Sequence, residues 1–163
     1  MNNVKIKITT TQTDYKGKTI FDTIANELMI EETFSLLDEE GTIQTTLYGD
    51  AVITDDTYTL SYAEGDDFGI EEQVTTVLKF KLNTPKEVTL VRSGGVESVM
   101  FFEEGKRDIS VYQTGIFPFE ICVYTASIDN RLITDGYFEM SYLVEIKGAQ
   151  AQHTILKIET TSI

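Results

Sequence analysis

Glu64 and Arg92 are the residues of this 163-residue chain best placed to do chemistry. Each follows two apolar positions on one side of an alternating segment: Leu60 and Tyr62 before Glu64, Val88 and Leu90 before Arg92. A charge on that inward side is costly unless paired. The preferred reading is an ion pair that closes one end of the interior, with Glu97 or Glu64 as the partner of Arg92. The functional reading is a guanidinium that anchors a ligand carboxylate or phosphate by a bidentate contact. Tyr62 and Tyr112 join Glu64 and Arg92 as the expected ligand-binding set.

The other chemically capable residues point to less. His153 is the single histidine, which rules out multi-histidine metal sites, and a surface position is expected for it. A Ser-His-Asp triad would need it, and no nucleophile-elbow motif accompanies it. Cys122 is the single cysteine, so no internal disulfide can form. It lies between Ile121 and Val123 with no basic neighbour in sequence, the setting of a structural thiol and not of a nucleophile. The acidic stretch from Glu64 to Glu72 lacks the alternate ligand spacing of an EF-hand loop and reads as a solvated loop. Nothing selects a carboxylate pair for glycoside hydrolysis. No catalytic residue, metal or cofactor is expected.

The elements that must hold these residues are strands. Val4, Ile6 and Ile8 alternate with Lys5, Lys7 and Thr9, giving a first strand over Val4 to Thr13. Thr19 to Glu40 carries Ile20, Phe21, Ile24, Ala25 and Leu28 at helical spacing, and an irregular strand competes with a helix there. From Gly41 the pattern is regular: Thr42–Thr54, Thr57–Glu64, Glu72–Leu82, Glu87–Ser93, Val96–Glu104, Arg107–Thr114, Phe117–Thr125, Asp135–Lys147 and Gln152–Thr161. Asp55-Asp56 and Gly94-Gly95 have the length of hairpin turns, and Asn83 to Lys86 forms another turn. About ten strands with such connections predict an all-β, up-and-down antiparallel barrel of about 8–10 strands, with one short helix near the N-terminus. Closure removes the exposed edges of such a sheet.

Strand parity assigns the core. Tyr58, Leu60 and Tyr62 share a face, as do Leu78, Phe80 and Leu82, and Val88 and Leu90. A two-residue turn at Gly94-Gly95 sets Leu90 opposite Val99, Val88 opposite Phe101 and Arg92 opposite Glu97. A three-residue turn at Glu104-Gly105-Lys106 then sets Phe101 against Ile109 and Val99 against Val111. Phe119, Ile121, Val123, Phe138, Met140, Tyr142, Val144, Leu156 and Ile158 complete the interior. Met100 and Phe102 fall on the outer face, and such an exposed pair suggests self-association, a protein partner or a covering helix.

The whole chain bounds the rest. Its length fits one domain over residues 1–163. Thirteen Lys and Arg stand against 27 Asp and Glu, a formal net charge of −14. That field repels phosphate backbones, so nucleic-acid and anionic-membrane binding are not expected. No run approaches the ~20 apolar residues of a membrane helix. The N-terminal segment lacks the apolar core of a signal peptide, so the expected location is cytoplasmic.

The segments Tyr58 to Glu64, Val88 to Gly94 and Val99 to Gly105, with Tyr112-Gln113-Thr114 and Phe138 to Ile146, resemble the YwiB-like family, a bacterial domain of unknown function. The resemblance runs from about Val4 to Glu159. It implies a calycin-like barrel similar in architecture to lipocalins, and it implies no activity. The Trp that typical lipocalins pack beneath an Arg has no counterpart here, since the chain has no Trp.

The leading expectation is therefore a cytoplasmic, non-enzymatic barrel that binds a small amphipathic or anionic ligand, or a protein partner, at its mouth. The alternatives are an enzyme for a small acidic substrate, with Arg92 as anchor and Glu64 as acid or base, and a structural or regulatory subunit using the Met100 and Phe102 face. An interior filled by Tyr58, Tyr62, Phe80 and Phe101 would exclude a ligand inside the barrel.

Overall fold

A computed structural model describes residues 2–16, 35–36, 41–64, 74–95, 97–113, 118–146 and 151–163. Its strands are β1 (Asn2–Lys16), β2 (Ser35–Leu36), β3 (Gly41–Thr54), β4 (Thr57–Glu64), β5 (Val74–Lys81), β6 (Thr84–Gly94), β7 (Ser98–Glu103), β8 (Arg107–Gln113), β9 (Pro118–Arg131), β10 (Tyr137–Ile146) and β11 (Ala151–Ser162). One helical turn, Leu132–Asp135, precedes β10. The helix expected within Thr19 to Glu40 lies outside the described residues, apart from Ser35 and Leu36, which pair with β1.

The strands run in the order β7-β6-β5-β4-β3-β1-β11-β10-β9-β8, every described pairing antiparallel. This is the chain order written around a circle, cut between β7 and β8, so the up-and-down barrel is present and nearly closed. Among the described residues no ladder joins β7 to β8. The turn between them is fastened to β9 instead: Gly105 N donates to Thr125 O at 2.8 Å, and Thr125 N donates to Lys106 O at 3.1 Å. Gly105 takes φ 82°, the left-handed position a three-residue turn needs.

Alternation fills the interior. Across β4, β5, β6 and β7 the inward residues form three rows. Tyr58, Phe80, Val88 and Phe102 make the first, and Leu60, Leu78, Leu90 and Met100 the second. Tyr62, Thr76, Arg92 and Ser98 make the third. Tyr58 stacks on Phe80 with ring centroids 5.0 Å apart. The opposite wall adds Ile6 and Ile8 of β1, Ile121 and Val123 of β9, Phe138 and Met140 of β10, and Leu156 and Ile158 of β11, all buried in the same cluster. At Gly49 of β3 the wall is so close that a Cβ would run into the Ser61 carbonyl and stand 2.8 Å from Ile6 Cδ1.

Three expectations are corrected. Met100 and Phe102 point inward, 7% and 1% exposed, while Val99 and Phe101 stand outside at 44% and 54%. The cause is register. Arg92 pairs with Ser98 and Leu90 with Met100, so the connection at Gly94-Gly95 is longer than two residues. A one-residue slip turns every side chain of a strand to the other face. Phe101 and Ile109 do share a face, but it is the outer one, where Ile109 and Val111 are also exposed. Leu82 leaves the core because β5 ends at Lys81.

Candidate functional site

The third inward row is where the barrel interior turns polar. Tyr62, Thr76 and Ser98 are buried at 6%, 1% and 5% exposure, and Arg92 between them is half-buried. Alternate residues on adjacent strands put these four side by side. Leu90 and Met100 form the next row inward, so the Arg92 side chain starts from an apolar wall and shares its own row with the hydroxyl residues Tyr62, Thr76 and Ser98.

Arg92 also acts on Tyr142 of β10. Burial pushes the Tyr142 phenol up to about 12, while its hydrogen bond with Thr154 and the positive charge of Arg92 pull it down. The Tyr142 ring packs against Phe102 with centroids 4.9 Å apart at a tilt of 60°. Arg92 is thus set among phenol and hydroxyl groups.

The row opens outward. A shallow cleft of about 390 Å³ is lined by Arg92, Ser93, Glu97 and Ser98, with Val99 of β7 and Val111 of β8 on its two sides. It lies at the gap where β7 and β8 face each other without a ladder. A cation with hydroxyls and an apolar rim can hold a small anion with an apolar part.

The sequence-selected residues are brought together in part. Tyr62 and Arg92 share the row directly. The backbone of Glu64 lies opposite Val74, which pairs with Gly94, one row beyond Arg92. Tyr112 pairs with Phe119 near the end of β8. The side chains of Glu64 and Tyr112 lie outside the described residues, and with them the Glu64–Arg92 pair. Glu97, the other expected partner, lines the Arg92 cleft as an exposed residue.

Groups suited to acid–base or nucleophilic work sit elsewhere. His153 is half-buried, not a free surface residue, and its Nε2 lies 2.7 Å from Ser141 Oγ on the outer face of β10 and β11. Glu145, fully buried, is on that same face beside Cys122. Burial lifts the Cys122 thiol to about 11; the Arg107 charge opposes this and the Glu145 and Asp108 carboxylates add to it. Such a thiol stays protonated near neutral pH, the structural role its neighbours in sequence suggest. Among the described residues no three His, Cys, Asp or Glu side chains form a metal cluster, and no helix is long and apolar enough to cross a membrane.

Sequence reasoning missed Ser98 because the slipped register put Glu97 where it stands, and Thr76 because only the β5–β6 register brings it beside Arg92. It missed Tyr142 and Thr154 as a polar pair because both lie in apolar, alternating segments that read simply as core.

Comparison with known proteins agrees with this architecture. The fold is similar to the crystal structure of the ywiB protein from Bacillus subtilis, with a TM-score of 0.63 and 18% identity over 98% of this chain and 93% of that one. At that identity the likeness is one of fold. No curated protein sequence matches the chain significantly. Residues 28–158 match the model of a family described as a domain of unknown function, DUF1934, and the chain belongs to that family.

Proposed function

We propose that this member of the domain-of-unknown-function family is a non-enzymatic, cytoplasmic binding module with a calycin-like barrel. Its ligand is a small amphipathic anion held at the mouth beside Arg92, not inside the barrel. The observation that carries the reading is the contrast within one wall. Two inward rows are aromatic or aliphatic, with Tyr58, Phe80, Phe102, Leu60, Leu78 and Met100 all buried, and the row of Tyr62, Thr76, Arg92 and Ser98 is the one that brings a charged side chain to a cleft. Polar groups converging on a partly apolar cleft are the usual mark of a binding site. Tyr62 and Ser98 orient the ligand, Arg92 neutralises it, and Tyr112 and Glu64 are the remaining residues of the proposed set.

Native mass spectrometry of the protein purified from its own cells tests this. A retained small anion that disappears in Arg92→Gln is the expected result. Protein that carries no adduct in either form, at concentrations where the fold is intact, would sink the reading.

A protein partner is the second reading, favoured by the outer patch of Val99, Phe101, Ile109 and Val111, each between 44% and 63% exposed. Such a patch on adjacent strands is a surface that association would cover. This replaces the Met100 and Phe102 face, which is buried. Sedimentation of wild type and Ile109→Glu separates the cases: an oligomer lost in the variant supports self-association, and a monomer in both removes it.

A further inference from the structure

The other end of the β4–β7 wall carries a larger cleft, about 720 Å³, that the Arg92 mouth does not explain. Its floor includes the buried rings of Phe80 and Phe102, and its outer side includes Phe101. Lys79, Lys81, Lys106 and Arg107 also line it. Four of the chain's 13 basic residues therefore meet at one cleft of a molecule whose net charge is −14.

Glu87, Glu103 and Asp108 are there as well, so the four basic side chains outnumber the acidic ones by one, and Glu103 is ion-paired. Lys106 Nζ is 3.0 Å from Glu103, and Asp108 accepts a hydrogen bond from Ser110 Oγ at 3.3 Å. Lys79, Lys81 and Arg107 have no ion-pair partner among the described residues. All three are exposed.

The arrangement has an order. On the outer face Lys79 pairs with Thr89, and Thr89 with Phe101. Neighbouring strands are about 4.8 Å apart, so this row spans about 10 Å from aromatic ring through hydroxyl to ammonium. Lys81 and Thr84 extend the cationic end. An aromatic surface, then a hydroxyl, then paired cations match in sequence a flat base, a sugar and a phosphate.

We infer that this cleft binds a free nucleoside phosphate, with the base on Phe101, the sugar over Thr89 and the phosphate between Lys79 and Lys81. The volume lies in the usual range of a small-molecule pocket, about 300–1,000 Å³. A mononucleotide fits the charge balance where a nucleic acid does not. One phosphate group meets the local cations, whereas a long backbone would also meet the repulsion of the acidic surface.

The test is calorimetric titration of the full chain with AMP, adenosine and inorganic phosphate. Saturable 1:1 binding of AMP, tighter than either half alone, is expected. The double variant Lys79→Ala/Lys81→Ala should weaken AMP by roughly tenfold, through loss of charge-assisted contacts. Phe101→Ala should weaken it by roughly fivefold and Phe101→Tyr should keep it, through loss or retention of stacking. These side chains are exposed, so unchanged melting curves will show intact folding. The inference is overturned if AMP binds no better than inorganic phosphate, or if neither variant changes its affinity.

Discussion

At one end of the β4–β7 wall the inward row is Tyr58, Phe80, Val88 and Phe102, and the charges of Lys79, Lys81 and Arg107 stand outside it. At the other end the inward row is Tyr62, Thr76, Arg92 and Ser98, and the charge is drawn into the wall. The same four strands build both. At the first end an apolar core can be close-packed and the cations remain solvated, so they add little to stability and are available to a ligand. At the second end the cation is partly desolvated, and polar neighbours offset the cost of its burial. The two proposed anion sites thus differ in kind, the one at Lys79 and Lys81 standing outside the core and the one at Arg92 being part of the wall.

Substitutions can break or sharpen that contrast. The largest difference should separate neighbours in β7. Phe102→Ala should cost about 4 kcal/mol in denaturant unfolding, as for a buried aromatic removed from a core. Phe101→Ala should cost about 0.5 kcal/mol or less, as an exposed change. The reverse order would mean that the register of β7 is the slipped one and that the polar row does not exist.

Gly49→Val tests how tightly the wall is closed beside Tyr62. The added side chain meets the Ser61 carbonyl and Ile6, so a loss of about 3 kcal/mol is expected from overpacking, read as a lowered unfolding midpoint. A neutral result would show that β3 can move away from β4. Thr154→Val should cost about 1 kcal/mol, since it removes the hydrogen-bond partner of Tyr142.

Tyr142 also gives the polar interior a pH signature. Its folded pKa, about 12, is above the ordinary 10.0, so folding favours the protonated phenol. That contribution is complete below pH 10 and is lost as pH rises through about 12. Unfolding free energy measured across this window should decline, and Tyr142→Phe should flatten the decline. An identical slope in the variant would exclude Tyr142 as a source. Lys79→Ala should produce the smallest change, within about 0.5 kcal/mol. A larger loss on thermal unfolding would mean that the cationic end also supports the fold.

Much of this barrel was legible from alternation alone. Val4, Ile6 and Ile8 marked β1, and Thr57 to Glu64 marked β4 to the residue, because a half-buried strand cannot hide its period of two. The two-residue turn at Asp55-Asp56 was legible too, and Asp55 takes the positive φ, 55°, that such turns require. Gly94-Gly95 carried the same local signal and misled. Gly94 belongs to β6 and pairs with Val74, so the chain reverses later than the two glycines suggest. Local turn chemistry states that a reversal occurs, while the register is decided by which neighbours on both sides must be buried.

Of the candidate site, one member was legible. Arg92 was identifiable because a charge interrupts an apolar parity. Its neighbours were not, because Thr76 and Ser98 are assigned to it only by the β5–β6 and β6–β7 registers. The Leu132–Asp135 turn was also invisible as such. It ends at Gly136, at φ 67°, where a Cβ would press on Thr160, a contact made only once β11 is in place.

The longest ladder, Val4 with Ser162 through Tyr15 with Ala151, joins the two most distant strands of the described chain. Each of its pairs closes a loop containing nearly all the other strands. A sheet centred on such a pairing has a high contact order, and proteins of that kind commonly fold in milliseconds to seconds, not microseconds. Both arms of the meander can form hairpins early, but the barrel cannot be cooperative until β11 reaches β1. A nascent chain lacking β11 would expose the edge of β1, with Ile6 and Ile8 uncovered. Of all the strands, β11 is therefore the one whose late arrival sets the period in which this molecule is open to aggregation.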